Sequence, residues 1–358
     1  MLRDTTWLRE QLLLALALVP LIGSGCGDSE AQPRPNPRPM PSCPSGDFCA
    51  PAATVKPLAK PDATLDHGCP SNLKEHYDTT PPDKLPRFSY ATFDLTATLQ
   101  TRRTTKTDDC CYHWMLSCPG GRPLLDDTSP IVANVREGAV HEPRDLLDPD
   151  VRAALVECWL ADALAEHASV ASFARATLEL MAVGAPAELV AETQRASLDE
   201  LEHARAVFAI ASRYAGRALE PGPLPLVPPR AGGIARVAHD VFVEGCVGET
   251  VAALCVARAA AACDDAELAA TLRAIADDEA RHAALAWKTL AWTIAADPRV
   301  LATIHDVARE LRDPAPIPDA DEDAAILAAH GRLDRRGLAL ARRDAWHDVI
   351  APMLAELA

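Results

Sequence analysis

The stretch DELEHA at residues 199–204 returns as DEARHA at residues 278–283, an offset of 79 residues. Each stretch holds a Glu-x-x-His motif, which places its two side chains on one face of a helix, about one turn apart. Apolar residues continue at helical spacing on both sides of each motif, so each motif lies near the middle of an apolar stripe. The repeat predicts two equivalent helices, each with polar side chains on a face that is otherwise apolar.

The sequence upstream of each motif repeats as well. Glu166 aligns with Glu249, and FARA at residues 173–176 aligns with VARA at residues 256–259, at an offset of 83. The two offsets differ by about one helical turn, so the aligned side chains keep their directions. Residues 148–297 are therefore predicted to form four helices in two similar antiparallel hairpins. Helix breaks are expected at residues 184–186, 221–229 and 264–265.

The four predicted stripes become polar at a similar depth in the bundle. Buried carboxylates are costly unless they are paired or bound to a cation. One Glu-x-x-His alone is typical of a solvated helix face, whereas two copies at matching depth, each with a glutamate one helix away, indicate a metal site. The candidate metal ligands are Glu166, Glu200, His203, Glu249, Glu279 and His282.

A glutamate from each of two helices and a Glu-x-x-His from each of the other two are the ligands of ferritin-like di-iron and di-manganese proteins. On these residues the chain resembles the ferritin-like di-iron carboxylate superfamily, which includes bacterioferritin, rubrerythrin and the di-iron tRNA hydroxylases. The resemblance implies a mainly α fold with a ferritin-like four-helix bundle of two repeated antiparallel hairpins, and a Cys-rich irregular module precedes this bundle in the sequence. It also implies two iron ions, or manganese, since carboxylate-rich ligation suits these metals better than zinc or copper.

The aspartate before each motif is a candidate supporting residue. A metal-bound histidine usually donates its second N–H to a carboxylate, which fixes the tautomer of the ring. We expect Asp199 to serve His282 and Asp278 to serve His203, across the bundle. The alternative is that both aspartates are ordinary surface residues.

Glu244 is the alternative to Glu249 as the ligand from the third helix. It lies five residues earlier, about 140° round an α-helix, and it breaks the repeat alignment. The repeat also aligns Arg175 with Arg258. Both arginines are expected at the surface or in salt bridges, because each lies nine residues beyond its glutamate and away from the site.

The N-terminus is typical of an export signal. Arg3 and Arg9 precede a short apolar stretch at residues 12–22, and small residues then lead to Cys26. Residues 1–25 resemble a bacterial lipoprotein signal peptide. The resemblance implies that Cys26 is lipidated and anchors the protein in the bacterial cell envelope, on the periplasmic or surface side. The alternative is a plain secretory signal that is cut near the same place.

The region before the bundle is rich in cysteine. Residues 26–47 are a Pro-rich tether, which cannot bury a core. An even number of cysteines in an exported, helix-poor segment suggests a small disulfide-bonded module over residues 48–145, with a strand near residues 88–99. A zinc or rubredoxin-type iron site is the weaker alternative, because no Cys-x-x-Cys pair occurs. The disulfide candidates, whose pairing stays open, are Cys43, Cys49, Cys69, Cys110, Cys111 and Cys118.

Two cysteines of the predicted bundle, Cys158 and Cys255, fall at nearly the same height on neighbouring antiparallel helices. If both face the seam between these helices, an oxidising compartment would let them close a disulfide. The alternative is that they are buried thiols, since cysteine is a common small core residue.

The overall charge limits the function classes. The 358 residues carry a formal net charge of −16, which argues against a nucleic-acid partner. The resemblance implies an envelope-anchored oxidoreductase that uses O₂ or peroxide, as a ferroxidase or as an oxidase or hydroxylase of a small substrate. An iron-binding or storage protein without organic turnover and a metal-free structural bundle are the alternatives. Residues 298–358 are predicted to be C-terminal helices that cover the bundle.

Overall fold

A computed structural model of the chain is mainly α-helical, so the predicted fold class is confirmed at that level. The chain forms two compact units, of which the first comprises Met1–Met40 with Pro119–Ala358 and the second comprises Pro41–Cys118. The structure describes residues 5–17, 45–51, 65–66, 69–70, 109–115, 124–126, 129–140, 147–225, 228–230, 232–312, 317–321 and 324–357.

Four long helical stretches pack in pairs and carry the candidate ligands. The first is α2 (Pro149–Ala182), the second is α3 (Ala187–Ala215), and the fourth is α6 (Ala266–Ala296). The third stretch consists of three consecutive segments, α4 (Gly233–Asp240), π1 (Val241–Glu249) and α5 (Thr250–Ala262). In the turn after α2, Gly184 adopts a φ of 70°, which glycine reaches without a steric cost. The Asp265 carboxylate caps α6, because it accepts hydrogen bonds from the backbone N–H groups of Glu267 and Leu268 at 3.0 Å.

The third stretch is one continuous helix with two kinds of winding. The sequence predicts a helix over residues 234–263, and the structure has helix from Gly233 to Ala262. Its middle segment, π1, has i→i+5 hydrogen bonds, however, so each of its hydrogen-bonded loops spans one residue more than a loop of an α-helix. The apolar pattern does not reveal this change of winding. The candidate ligand Glu249 is the last residue of π1.

An additional helix, α1 (Thr5–Ala17), packs against α6. Leu8 and Leu12 lie on one face of α1 at i, i+4 spacing, and both are fully buried in the core that also contains Phe242 and Trp287. The Thr5 hydroxyl donates a hydrogen bond to Asp348 at 3.1 Å. This helix lies within the predicted signal peptide, and its removal from the mature chain stays a prediction.

The described residues include short antiparallel strand pairs. β7 (Val135–Val140) pairs with β8 (Arg217–Pro221), so the segment before the bundle is tied to the residues that follow α3. In the pairing of β1 (Ser45–Pro51) with β4 (Asp109–Met115), Cys49 lies opposite Cys111. Disulfide pairing stays a prediction, and Cys26, Cys43, Cys118 and residues 88–99 lie outside the described residues. The strands are β1 (Ser45–Pro51), β2 (Leu65–Asp66), β3 (Cys69–Pro70), β4 (Asp109–Met115), β5 (Leu125–Asp126), β6 (Ser129–Pro130), β7 (Val135–Val140) and β8 (Arg217–Pro221).

The C-terminal part of the chain is helical and packs against the third and fourth stretches. From this part, Arg332 reaches α2, where it forms an ion pair with Asp162 and lies over the ring of Trp159 at 4.7 Å. None of the helices in the described part of the chain has the length and apolar character that crossing a bilayer requires. The C-terminal helices are α7 (Val300–Leu311), α8 (Ala324–Ala329), α9 (Arg335–Ala345), π2 (Trp346–Ile350) and α10 (Ala351–Glu356).

The cysteines of the bundle are thiols. The disulfide between Cys158 and Cys255 that the sequence allowed is absent from the structure. Burial raises the pKa of the Cys255 thiol to about 11, so this group is protonated at neutral pH. A protonated, buried thiol packs as a small apolar side chain. The four thiols are those of Cys158, Cys246, Cys255 and Cys263.

Candidate metal centre

The candidate ligands come together in the middle of the bundle. Helical spacing places each of them on the face of its helix that packs inward. All are buried: Glu200 is 0% exposed, and Glu166, the most accessible, is 8% exposed. Glu166 comes from α2, Glu200 and His203 from α3, Glu249 from π1, and Glu279 and His282 from α6.

These residues form two overlapping groups. The first group is Glu166, Glu200, His203 and Glu279, and the second group is Glu200, Glu249, Glu279 and His282. Within each group, the atoms that would bind a cation lie within 4.8 Å of one another. Glu200 and Glu279 belong to both groups, and a carboxylate has two oxygens with which it can serve two cations at once. The cluster resembles a di-metal site.

Both histidines turn the same ring nitrogen toward the cluster. The Nδ1 atom of His203 lies 3.4 Å from Glu279 and 3.5 Å from Glu166. The Nδ1 atom of His282 lies 3.0 Å from Glu200. The two rings lie close together, with centroids 5.9 Å apart. Each group therefore has one nitrogen among its carboxylate oxygens.

The outer nitrogen of each ring faces an aspartate of the other hairpin. His203 Nε2 lies 2.9 Å from Asp278, and His282 Nε2 lies 3.2 Å from Asp199. Arg281 contacts both aspartates, at 2.5 Å from Asp278 and 3.3 Å from Asp199. An aspartate that accepts the Nε2 proton leaves the lone pair of the ring on Nδ1, the atom that faces the cluster. These are the cross-bundle contacts that the sequence predicts.

Many polar atoms of the cluster are buried and form no hydrogen bond of normal geometry, even where two of them lie close together. They include both carboxylate oxygens of Glu200 and of Glu249, and the Nδ1 atoms of both histidines. Burying one carboxylate costs several kcal/mol even after the protein relaxes, so a cluster of four needs compensating positive charge. The orphaned atoms point to one place and are mostly oxygens, a donor set that suits iron or manganese. The residues present therefore fit a pair of cations.

The electrostatics of the metal-free cluster are coupled. Burial, with repulsion between the carboxylates, raises the pKa of Glu166 and of Glu249 well above the usual value. Burial also opposes the charge of Glu279, but close contacts with both histidines outweigh it and lower the pKa of this residue. Burial disfavours charged histidines too, yet their aspartate and glutamate partners raise the pKa of His203 and His282. Protons held in this way are released when cations bind.

Glu244, the alternative ligand, lies outside both groups in a second buried cluster. It contacts Arg175 at 3.4 Å and Arg230 at 2.7 Å. Arg230 also pairs with Asp240 at 2.8 Å, and its backbone N–H donates to Glu179 at 2.8 Å. Arg175 is 3% exposed, and carboxylates from two helices, Glu179 and Glu244, offset its charge inside the fold. Of the two placements expected for it, the salt bridge is therefore confirmed and the surface position is wrong.

Sequence reasoning missed Arg230 and Asp240 in this second cluster. One signal was present, since Arg236 and Asp240 stand at i, i+4 spacing and pair at 2.7 Å. Arg230, by contrast, comes from the crossover that precedes α4, and no spacing rule connects it to the helix. Its position depends on how the crossover folds back over the third stretch.

The buried cluster is the feature of this chain that points to a function. All six candidate ligands meet in one buried cluster that could hold metal ions. Their role as ligands stays a prediction. A scan against protein-family models, a search of curated proteins and a search of solved structures each found no match.

Proposed function

We propose that the protein is a ferritin-like di-metal oxidoreductase that uses O₂ or peroxide and holds two iron ions, with manganese as the alternative. The observation that carries this proposal is the pair of overlapping groups that share Glu200 and Glu279. The repeated hairpin supports it, because Glu166 and Glu249 stand at aligned positions of the two copies. The reaction is the oxidation of ferrous iron or of a small organic substrate.

The residues of the centre have different roles in holding two cations. Glu200 and Glu279 would serve both cations, and each group would add one further glutamate and one histidine. Asp199 and Asp278 hold the outer ring nitrogens, so that each Nδ1 lone pair faces the centre. The buried helices exclude bulk water and strengthen every electrostatic contact inside. When bound, iron supplies one-electron chemistry toward O₂ or peroxide.

We also propose that the protein is anchored in the bacterial envelope through a lipid on Cys26. This rests on the apolar stretch at residues 12–22 and the small residues before Cys26. Cys26→Ser should release the protein from the membrane fraction while the bundle stays folded. Retention of that variant in the membrane fraction would argue for a different anchor.

Metal analysis of the purified full chain tests the proposed function. We expect about two iron or manganese ions per chain. We also expect Fe(II) to be oxidised by O₂ faster in the presence of the protein than in buffer alone. Two bound ions without this oxidation would indicate an iron-binding protein, and no bound ions would indicate a metal-free structural bundle. A panel of small organic substrates then distinguishes a ferroxidase from a hydroxylase.

A further inference from the structure

The segment π1 connects the second buried cluster to the candidate metal centre. Asp240 is the residue that precedes π1, Glu244 lies in its first turn, and Glu249 is its last residue. All three side chains are buried. The first two pair with arginines of the second buried cluster, whereas Glu249 belongs to the second group of candidate ligands. Contacts at the start of this nine-residue segment can therefore affect the ligand at its end.

The direction of the Glu249 side chain depends on the winding of π1. Neither carboxylate oxygen of Glu249 forms a hydrogen bond of normal geometry, so its neighbours in the metal-free centre do not hold it in that way. A hydrogen-bonded loop of π1 spans one residue more than a loop of an α-helix. A return to α-helical winding would therefore turn Glu249 relative to Asp240 and Glu244. Because i→i+5 winding is rare, contacts with other segments are needed to favour it.

One nitrogen atom of Arg230 contacts both carboxylates at the start of π1. The Nη1 atom of Arg230 lies 2.7 Å from Glu244 and 2.8 Å from Asp240. These two carboxylates stand at i, i+4 spacing, so a single cation links the last residue of α4 to the first turn of π1. Arg175 approaches Glu244 from α2, at 3.4 Å. Because these groups are buried, the loss of one partner leaves a costly uncompensated charge.

The crossover that carries Arg230 has a restricted backbone. The backbone N–H of Arg230 donates a hydrogen bond to Glu179 of α2 at 2.8 Å. Two prolines, residues 228–229, precede Arg230, and their rings fix φ. Gly232 has a φ of 152°, and a Cβ atom at this position would lie 2.6 Å from the Cβ atom of Arg236. Arg230 therefore contacts π1 from a segment that has little freedom to move away.

We propose that Arg230 is a positioning residue, which holds the start of π1 and thereby directs Glu249 into the second group of ligands. The inference rests on the proposed function, because it concerns how the metal centre of that function is assembled. Arg230 belongs to neither group of ligands, and Glu249 belongs to the second group only. The loss of Arg230 should therefore weaken the binding of one ion of the two.

Anaerobic titration of the full chain with Fe(II), in competition with a chelator, tests this role. We expect Arg230→Met to bind one ion about tenfold more weakly and the other with the wild-type affinity. Arg230→Lys should restore the wild-type affinity, because an ammonium group can contact two carboxylates through one nitrogen atom. The control is Arg258→Met, which removes an ion pair with Asp344 on α5 and should retain both affinities. Wild-type affinities in Arg230→Met would overturn the inference.

A combination with Glu249→Ala distinguishes positioning from a general loss of stability. If Arg230 acts through Glu249, Arg230→Met should have no further effect on the ion that Glu249→Ala still binds. A further loss of affinity for that ion would show that Arg230 stabilises the bundle as a whole, and the positioning role would then be wrong.

A second pair of variants applies if Arg230→Met does not fold. Glu179→Met removes the acceptor of the Arg230 backbone N–H and should also weaken one ion, whereas Glu179→Gln keeps an oxygen there and should not. Two ions bound with unchanged affinity in Glu179→Met would contradict the inference and leave the proposed function standing. A wild-type protein that binds no ions would contradict both.

Discussion

The first hairpin (α2 and α3) and the second hairpin (α4 to α6) present the same ligand types to the centre, yet they are built differently. The first is α-helical throughout, whereas the second reaches Glu249 at the end of the nine-residue segment π1. π-Helical winding is rare and is frequently found at functional sites. The repeat therefore keeps the ligands in register, while the winding and packing around them differ.

The two hairpins also balance their buried charges differently. In the second, Asp240 and Glu244 are both 1% exposed and pair with Arg230. In the first, Asp162 pairs with Arg332, and these side chains are 24% and 17% exposed. Breaking an ion pair costs more the more completely it is buried. We therefore expect the second hairpin to depend more strongly on its charges.

The largest expected effect distinguishes shared ligands from unshared ones. Glu200→Ala or Glu279→Ala should abolish binding of both ions, because each of these carboxylates belongs to both groups. Glu166→Ala or Glu249→Ala should each lose about one ion of the two. Metal analysis after equilibration with Fe(II) under anaerobic conditions measures these numbers.

A matched pair on one helix provides the control for this experiment. Glu249→Gln should lower the number of bound ions, whereas Glu244→Gln should leave it unchanged, because Glu244 pairs with Arg175 and Arg230 outside both groups. The reverse result would show that the third helix supplies Glu244 as its ligand and that the repeat alignment is wrong.

The next effect concerns the stability of the second hairpin. Asp240→Asn leaves buried arginines with less compensating charge, and it should lower the free energy of unfolding by about 3 kcal/mol. Asp162→Asn in the first hairpin should cost less, because its ion pair is more accessible to water. Urea unfolding of both variants at pH 7 measures the difference. Equal losses would contradict the contrast between the two hairpins.

The same aspartate has a defined pH dependence. Burial opposes the charge of Asp240, but His239, Arg230 and Arg236 outweigh burial and place its pKa well below the usual value. The stability it contributes is therefore complete above the unfolded pKa of about 3.9 and is lost as the pH falls toward the lower folded pKa. The stability difference between wild type and Asp240→Asn should shrink over that range in acid-unfolding experiments.

The next prediction tests whether α1 packs against the second hairpin. Leu8→Ala or Leu12→Ala should each lower the free energy of unfolding by about 2–5 kcal/mol, because both leucines are fully buried. Leu14→Ala is the control: Leu14 is 68% exposed and should change stability by less than about 0.5 kcal/mol. Urea unfolding measures these changes, on protein whose intact mass shows that the α1 segment has not been cleaved off. If all three variants unfold alike, α1 does not pack against the bundle in solution.

The smallest expected effect concerns the aspartates behind the histidines. Asp199→Asn and Asp278→Asn should each weaken metal binding by about 10- to 100-fold, since each holds the outer nitrogen of one histidine. Competition with a chelator measures the affinity. Because the contacts cross between the hairpins, Asp278→Asn should weaken the ion bound by His203, on the opposite hairpin. Selective weakening of the ion bound by His282 would contradict this pairing.

The helices and the set of residues that meet in the centre were predictable from the sequence. The apolar spacing and the breaks at residues 184–186 and 264–265 were sufficient, because helix directions follow from a fixed rotation per residue. The surroundings were not predictable in the same way. For Arg175 the sequence left a surface position and a salt bridge open, and the choice between them depends on Glu244, which lies on another helix.

The sequence by itself determined which side chains lie on the inner faces of the four helices, because a repeat with constant offsets preserves their direction and depth. Only the tertiary structure decided how these side chains are shared between two groups and where π1 changes the winding. It also decided the packing of Leu8 and Leu12 against the second hairpin. These features depend on contacts between segments far apart in the chain, whose distances no local periodicity specifies.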